Sequence, residues 1–209
     1  MKKYKAFIYD IDNTLLNTLK MNMIPLLQII EEELDEVWTY DQVLKYASYP
    51  GLKVIEELGV EDIEVTYKRW VKYVNNYEEG ATVFDDVDKV LEHVNQMGTR
   101  QAIVSAKTNE QYQIDCVGNG LDKYMEVVIL ADDTLNHKPD PEPLDLCISR
   151  LGLMKDEVVY IGDTYDDYQA SKNCGIDFAF ATWGSVETQA FDATYVLNEP
   201  LDILSLLIV

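Results

Sequence analysis

The sequence predicts an α/β fold: a Rossmann-like parallel sheet with helices on both faces, interrupted after its first strand by an all-helical insertion. Three observations carry this reading. Five short β-rich apolar runs each end in small or polar residues, helix-patterned segments separate the last four of them, and residues 17–81 show helical periodicity without a strand. Parallel strands covered on both faces read as continuous apolar runs rather than as alternations, and these runs do.

The first run, "KAFIYD" (residues 5–10), closes on an acid. The helical stretch follows, with "MIPLLQIIEEELDEV", "YDQVLKYA", "GLKVIEELGV" and "DIEVTYKRWVKYVNNY" each repeating apolar residues at helical spacing. Linker signals lie near Asn17 and around "EEGATVF" (78–84), so the expected α/β part is 1–16 with 82–209 and the insertion is 17–81. The remaining runs are "QAIVSA" (101–106), "EVVILA" (126–131), "EVVYIGD" (157–163) and "DFAFAT" (177–182). The terminal "LDILSLLIV" is far short of the roughly 18 apolar residues of a membrane span and reads as a last core helix or strand.

A chain of 209 residues that is 47% hydrophobic can bury a sizeable core in one domain plus a small insertion. With 38 Asp and Glu against 17 Lys and Arg, its field repels nucleic acid and anionic lipid, so neither is an expected partner. Cys116, Cys147 and Cys174 stand at no metal-ligand spacing; as reduced packing thiols, and with no signal-peptide pattern in "MKKYKAFIYD", they suit a cytoplasmic protein. The expected assembly is a monomer or homodimer. His93 and His137 have no second histidine or cysteine at ligand spacing.

Ligands of open parallel sheets sit outside the carboxyl ends of the strands. The residues closing the runs are Asp10 and Asp12, Ser105, Asp132 and Asp133, and Asp163, and "HKPDPEP" adds Lys138 just before a proline-marked helix start. Carboxylates gathered with one lysine and one hydroxyl are what magnesium-assisted phosphoryl transfer needs.

These residues resemble the motifs of the haloacid-dehalogenase-like superfamily. "DIDNT" resembles its Asp-x-Asp-x-Thr motif, Ser105 in "AIVSAKTN" its hydroxyl motif, Lys138 in "KPDP" its lysine motif and "GDTYDD" its acidic motif, in the family's order and spacing. "GDTYDDYQASKNCGI" followed by "ATWG" is similar to the phosphoglycolate-phosphatase-like branch, and the likeness covers roughly residues 3–16 and 82–197. One departure is Asn13, where this branch usually has glycine.

The resemblance implies Asp10 as the nucleophile that forms an aspartyl-phosphate, and Asp12 as the general acid and base. It implies Mg²⁺ held by Asp10, the backbone carbonyl of Asp12 and Asp163, with Asp167 supporting from outside, and Ser105 and Lys138 on the phosphoryl oxygens. The insertion is then a helical cap with hinges near Asn17 and Gly80. Of its cations (Lys45, Lys53, Lys68, Arg69, Lys72), Lys53 is the candidate substrate reader: it follows a Pro-Gly break at a helix start, where a cation has little dipole reason to be. The expected function is a Mg²⁺-dependent phosphatase of small soluble phosphomonoesters such as phosphoglycolate, a sugar phosphate or a nucleoside monophosphate. The alternatives are a phosphomutase of the same branch and a catalytically silent phosphate-binding scaffold.

Overall fold

The computed structural model describes residues 4–187 and 191–207. All of Ala6–Tyr9 is apolar and buried, a pattern that suits a central strand, and this run is β1. The chain continues through a two-residue strand β2 (Leu16–Asn17) into four helices, α1 (Leu19–Leu34), α2 (Tyr40–Val43), α3 (Gly51–Leu58) and α4 (Ile63–Asn75). It returns through β3 (Thr82–Val83), which pairs with β2. Then come α5 (Val87–Gln96), β4 (Arg100–Val104), α6 (Asn109–Tyr112), β5 (Val127–Ile129), α7 (Glu142–Leu151), β6 (Val158–Gly162), α8 (Tyr165–Cys174), β7 (Asp177–Ala181) and β8 (Tyr195–Leu197).

Six strands form one parallel sheet in the order β5-β4-β1-β6-β7-β8. The chain builds outward from β1 in one direction and then in the other. The loops after β4 and β6 therefore flank the end of β1, the position at which ligand crevices form in such sheets. The sheet has one strand more than the five apolar runs predict. β8 is three residues long and pairs with β7 at the edge, too short a run to show a period of its own. The C-terminal apolar segment is a 3₁₀ helix, Pro200–Leu207, with Ile203 and Leu206 buried.

Side chains alternate across the sheet. Ala6, Ile8, Ala102, Val104, Val158, Tyr160 and Phe178 share one core with α7 and α8. The intervening Phe7, Tyr9, Ile103, Val159 and Ile161 are equally buried, and on that face Gln101 reaches the Leu91 carbonyl of α5 at 2.9 Å. Full burial of Phe7 or Ile8 is worth about 1.5–3 kcal/mol each, so the strand that carries the first acids is anchored on both of its faces.

The chain divides into two compact units, one of residues up to Asn17 together with those from Val83 onward, the other of Thr18–Thr82. The second has its own core of Met21, Leu26, Ile29, Ile30, Val54, Ile55, Leu58, Trp70 and Val74. Within it Arg69 pairs with Glu33, and the Trp70 indole donates to the Asn22 carbonyl at 3.0 Å. No helix among the described residues is long and apolar enough to cross a membrane. The cysteines are free and buried.

Candidate active site

Asp10 follows β1 directly, and its backbone N–H donates to the Ile161 carbonyl of β6 at 2.9 Å. By parity it lies on the side of Ile8, the face of Tyr160. The loop beyond turns sharply: Asn13 has φ 56°, and its N–H reaches the Leu16 carbonyl at 2.7 Å. This is the left-handed region that glycine favours and asparagine tolerates, so the sequence departure at Asn13 preserves the turn. Gly184 in "ATWG" closes against the same loop; a Cβ there would lie 2.0 Å from the Asn13 carbonyl oxygen. Trp183 beside it donates to the Thr14 carbonyl at 2.9 Å.

Asp163 follows β6, and its Oδ1 accepts from the Thr14 hydroxyl at 3.1 Å. Four residues on, Asp167 folds back against the strand end. A Cβ on Gly162 would meet its Cγ at 2.7 Å, so only glycine leaves the space. Thr164 caps α8, accepting from the Asp167 N–H at 3.1 Å, while Asp167 Oδ2 accepts from the Thr164 N–H at 3.1 Å and hydroxyl at 2.7 Å. Lys138, from the loop before α7, places Nζ 2.9 Å from Asp10 Oδ1, 2.6 Å from Asp167 Oδ1 and 3.0 Å from the Tyr160 hydroxyl. Ser105, following β4, is buried, and it and Lys138 line one pocket with Thr134 and His137. The Thr134 Oγ1 in that pocket is buried without a hydrogen-bond partner among the described residues.

The structure thus brings together Asp10, Asp163, Asp167 and Lys138 from loops far apart in sequence, with Ser105 on the Lys138 side. Asp12 lies apart from the acid group and is paired elsewhere: Lys107 Nζ is 3.0 Å from its Oδ1, an ion pair short of hydrogen-bond alignment, and 2.6 Å from Asp115 Oδ2. Lys53 lies in the second unit, exposed on α3, with Nζ 4.3 Å from the centre of the Tyr49 ring. Lys107, Asp115 and Tyr160 escape the sequence reading, and Thr14 enters it only as the last residue of the Asp-x-Asp-x-Thr motif. A lysine two residues beyond Ser105 in an acidic chain was a usable signal for Lys107; Asp115 and Tyr160 carried none.

Burial pushes Asp10 up to about 7; Lys138 opposes the shift, and the charges of Asp167 and Asp12 add to it. Burial also raises Asp163, reinforced by Asp167 and Asp10. Asp167 is held below the usual carboxylate range: burial would raise it, but the Lys138 ammonium and the Thr164 hydrogen bonds outweigh that. Lys138 is raised because Asp10 and Asp167 outweigh its own burial.

Carboxylate oxygens of Asp10, Asp163 and Asp167 lie within 4.8 Å of one another. Like charges ~4 Å apart cost about 4 kcal/mol per pair at an effective dielectric of about 20, and one lysine leaves part of that uncompensated. The donor set fits a hard divalent cation: all oxygen, buried, with the hydrogen bonds to Asp10 and Asp163 falling on Oδ1 of each and leaving Oδ2 for a ligand. Both oxygens of Asp167 are already engaged by Lys138, Tyr160 and Thr164, which suits a supporting position.

Comparison with known proteins agrees with this architecture. The sequence profile of the haloacid dehalogenase-like hydrolases matches residues 7–181. The chain is similar to the pyrophosphatase PpaX of Bacillus velezensis, 25% identical over 207 residues that span 97% of this chain and 96% of that protein. Its fold is similar to that of a Lactobacillus plantarum protein to which phosphoglycolate phosphatase activity has been ascribed (TM-score 0.90, 22% identity, 98% of this chain and 99% of the other). It is also similar to a Bacteroides fragilis protein ascribed to haloacid dehalogenase-like hydrolases (TM-score 0.84, 25% identity, 93% and 96%). With a profile match across most of its length, a six-stranded parallel sheet and a helical insertion after the first strand, the chain belongs to the haloacid dehalogenase-like hydrolases.

Proposed function

We propose that this hydrolase is a Mg²⁺-dependent phosphatase of small soluble phosphorylated compounds that works through an aspartyl-phosphate. The observation that carries the reading is the buried group of Asp10, Asp163 and Asp167 at the carboxyl edge of the sheet, with Lys138 bridging two of the acids. Asp10 and Asp163, with the backbone carbonyl of Asp12, would hold the ion, and Asp167 would fix the site from behind. When bound, Mg²⁺ supplies positive charge that lets a carboxylate approach a phosphate dianion.

The chain's own residues divide the remaining work. Asp10 attacks phosphorus, the P–O bond to the leaving group breaks, and water later releases phosphate from the aspartyl ester. Ser105 and Lys138 donate to phosphoryl oxygens, one neutral and one charged. Asp12, outside the acid group, gives its proton to the leaving oxygen and afterwards takes one from the attacking water. The unit Thr18–Thr82 serves as the cap that excludes water and reads the substrate, Lys53 among its readers.

The substrate class is a phosphomonoester of the phosphoglycolate, sugar-phosphate or nucleotide type. A second reading, inorganic pyrophosphate, is favoured by the likeness to PpaX along nearly the whole of both chains. The test is a panel of pyrophosphate and phosphorylated metabolites with Mg²⁺, reading released phosphate. Release from one class above the rest assigns the substrate. Isomerised sugar phosphate without release identifies a mutase, and silence across the panel identifies a phosphate-binding scaffold.

A further inference from the structure

Asp12 stands two residues beyond Asp10, within reach in principle of the same cation as Asp163 and Asp167, yet its carboxylate is not in their group. What faces it is Lys107, itself 4% exposed. An ammonium so deeply buried is costly unless it is paired and held. The pairing is with Asp115, also buried, at 2.6 Å. Asp115 is delivered by a π-helical turn, Gln113–Val117, that continues α6, and such turns in short helices recur at functional sites. The backbone of Lys107 is tied as well: its carbonyl accepts from Ala131 N at 2.9 Å, and its N–H reaches Ser105 Oγ at 3.4 Å.

Direction matters more than pairing. β4 and β6 lie on opposite sides of β1. Lys107 follows β4, whereas Asp163 and Asp167 follow β6, so the ion pair draws Asp12 away from the side where the other acids gather. A purely structural anchor for the turn would be cheaper as an apolar side chain.

We propose that Lys107, fixed by Asp115, is a positioning residue that holds the Asp12 carboxylate on the β4 side, turned to the leaving oxygen and out of the metal's reach. The inference rests on the phosphatase reading and on the proton-transfer role given there to Asp12. In the step concerned, an Asp10 oxygen bonds phosphorus, the bond from phosphorus to the leaving oxygen breaks, and the Asp12 proton goes to that oxygen. In the next, water attacks phosphorus, its proton passes to Asp12, and the Asp10–phosphate bond breaks.

The discriminating measurement compares two esters in wild type and in Lys107→Met: the alkyl phosphate that wild type hydrolyses best, and p-nitrophenyl phosphate. An alkoxide needs protonation as it leaves and nitrophenolate does not. kcat/KM reports only steps through formation of the aspartyl ester, so it should fall about 30-fold further for the alkyl than for the aryl substrate, part of the 10²–10⁴ typical of proton transfer. With the aryl ester, slowed hydrolysis of the intermediate should appear as a burst of nitrophenol. Lys107→Arg should recover part of the alkyl activity. If Lys107→Met fails to fold, Lys107→Met/Asp115→Asn, which leaves no stranded buried carboxylate at 115, and Asp115→Asn alone must show the same bias. Equal losses on both esters in an active enzyme would overturn the inference and spare the phosphatase reading. A wild type that releases phosphate from neither ester, or from any phosphorylated metabolite or pyrophosphate, overturns both.

Discussion

Removing Lys138 tests the electrostatics of the site without reference to turnover. In the metal-free protein, Lys138→Met leaves Asp10 and Asp167 buried without the ammonium that lies 2.9 and 2.6 Å from them. Breaking a buried pair in this way costs about 3–5 kcal/mol. The cost should depend on pH with a definite sign. Asp10 has a folded pKa raised to about 7, above its unfolded value of roughly 3.9, so its ionisation destabilises the fold, and the destabilisation accumulates as pH rises from the unfolded to the folded value. Below pH ~6 the folded state keeps the Asp10 proton in both proteins, and the Lys138–Asp10 attraction is absent from both. Without Lys138 the folded pKa rises further. Each unit of that rise adds about 1.4 kcal/mol to the variant's deficit once pH exceeds it, so about that much of the deficit at pH 8 should vanish at pH 5.5. Urea unfolding in EDTA at the two pH values measures this. A deficit below about 1 kcal/mol at pH 8, or one that is the same at both pH values, would refute the placement of Lys138 as the counter-charge of Asp10.

Asp10→Asn should lower phosphate release by several orders of magnitude while leaving the melting temperature near that of wild type; retention of a tenth of turnover removes Asp10 as nucleophile. Mg²⁺ should raise the melting temperature more at pH 8 than at pH 5.5, because protons compete for the raised carboxyls of Asp10 and Asp163, and Ca²⁺ should restore little activity to chelated enzyme because its looser shell misplaces the phosphoryl group. A thermal shift independent of pH contradicts the site. Gly184→Ala, whose Cβ would lie 2.0 Å from the Asn13 carbonyl oxygen, should destabilise by about 1–3 kcal/mol and cost activity through the Asp10 loop; a neutral effect on both means the loop yields freely. Lys53→Ala should lower kcat/KM for the best substrate by about 2 kcal/mol and that for an aryl phosphate far less, and equal losses would mark a structural effect.

The legible part of this protein was the part written in local pattern. β1, β4, β5, β6 and β7 each announce themselves as apolar runs, and of the acids that close them Asp10 and Asp163 are brought together, whereas Asp132 and Asp133 accept from the Asn109 and Leu130 N–H groups instead. β8 stayed hidden because three residues at an edge have no period, and its pairing partner, β7, supplies the order. Lys138 was visible from the proline-marked helix start beside it. Asp115 was not, since its partnership with Lys107 is made by a π-helical turn that no spacing rule foretells. Nor was Tyr160: read as one more apolar strand residue, it aims its hydroxyl at the Val104 carbonyl, 2.9 Å away, and at Asp167. Asn13 departs from the branch's usual glycine, and its φ of 56° accounts for the exchange: the position selects a backbone conformation that both residues can adopt.

The pairing of β2 with β3 has a consequence for how such a chain can change. It brings the two ends of a 65-residue excursion, Thr18 through Thr82 (82 − 18 + 1), side by side. To the α/β unit the whole excursion is then one long connection. Loop closure grows only with the logarithm of length, about 0.6 kcal/mol per doubling, so replacing 65 residues by a four-residue turn alters the closure entropy by only about 2.4 kcal/mol. Insertions of quite different size can therefore be exchanged at this seam at little cost in closure entropy.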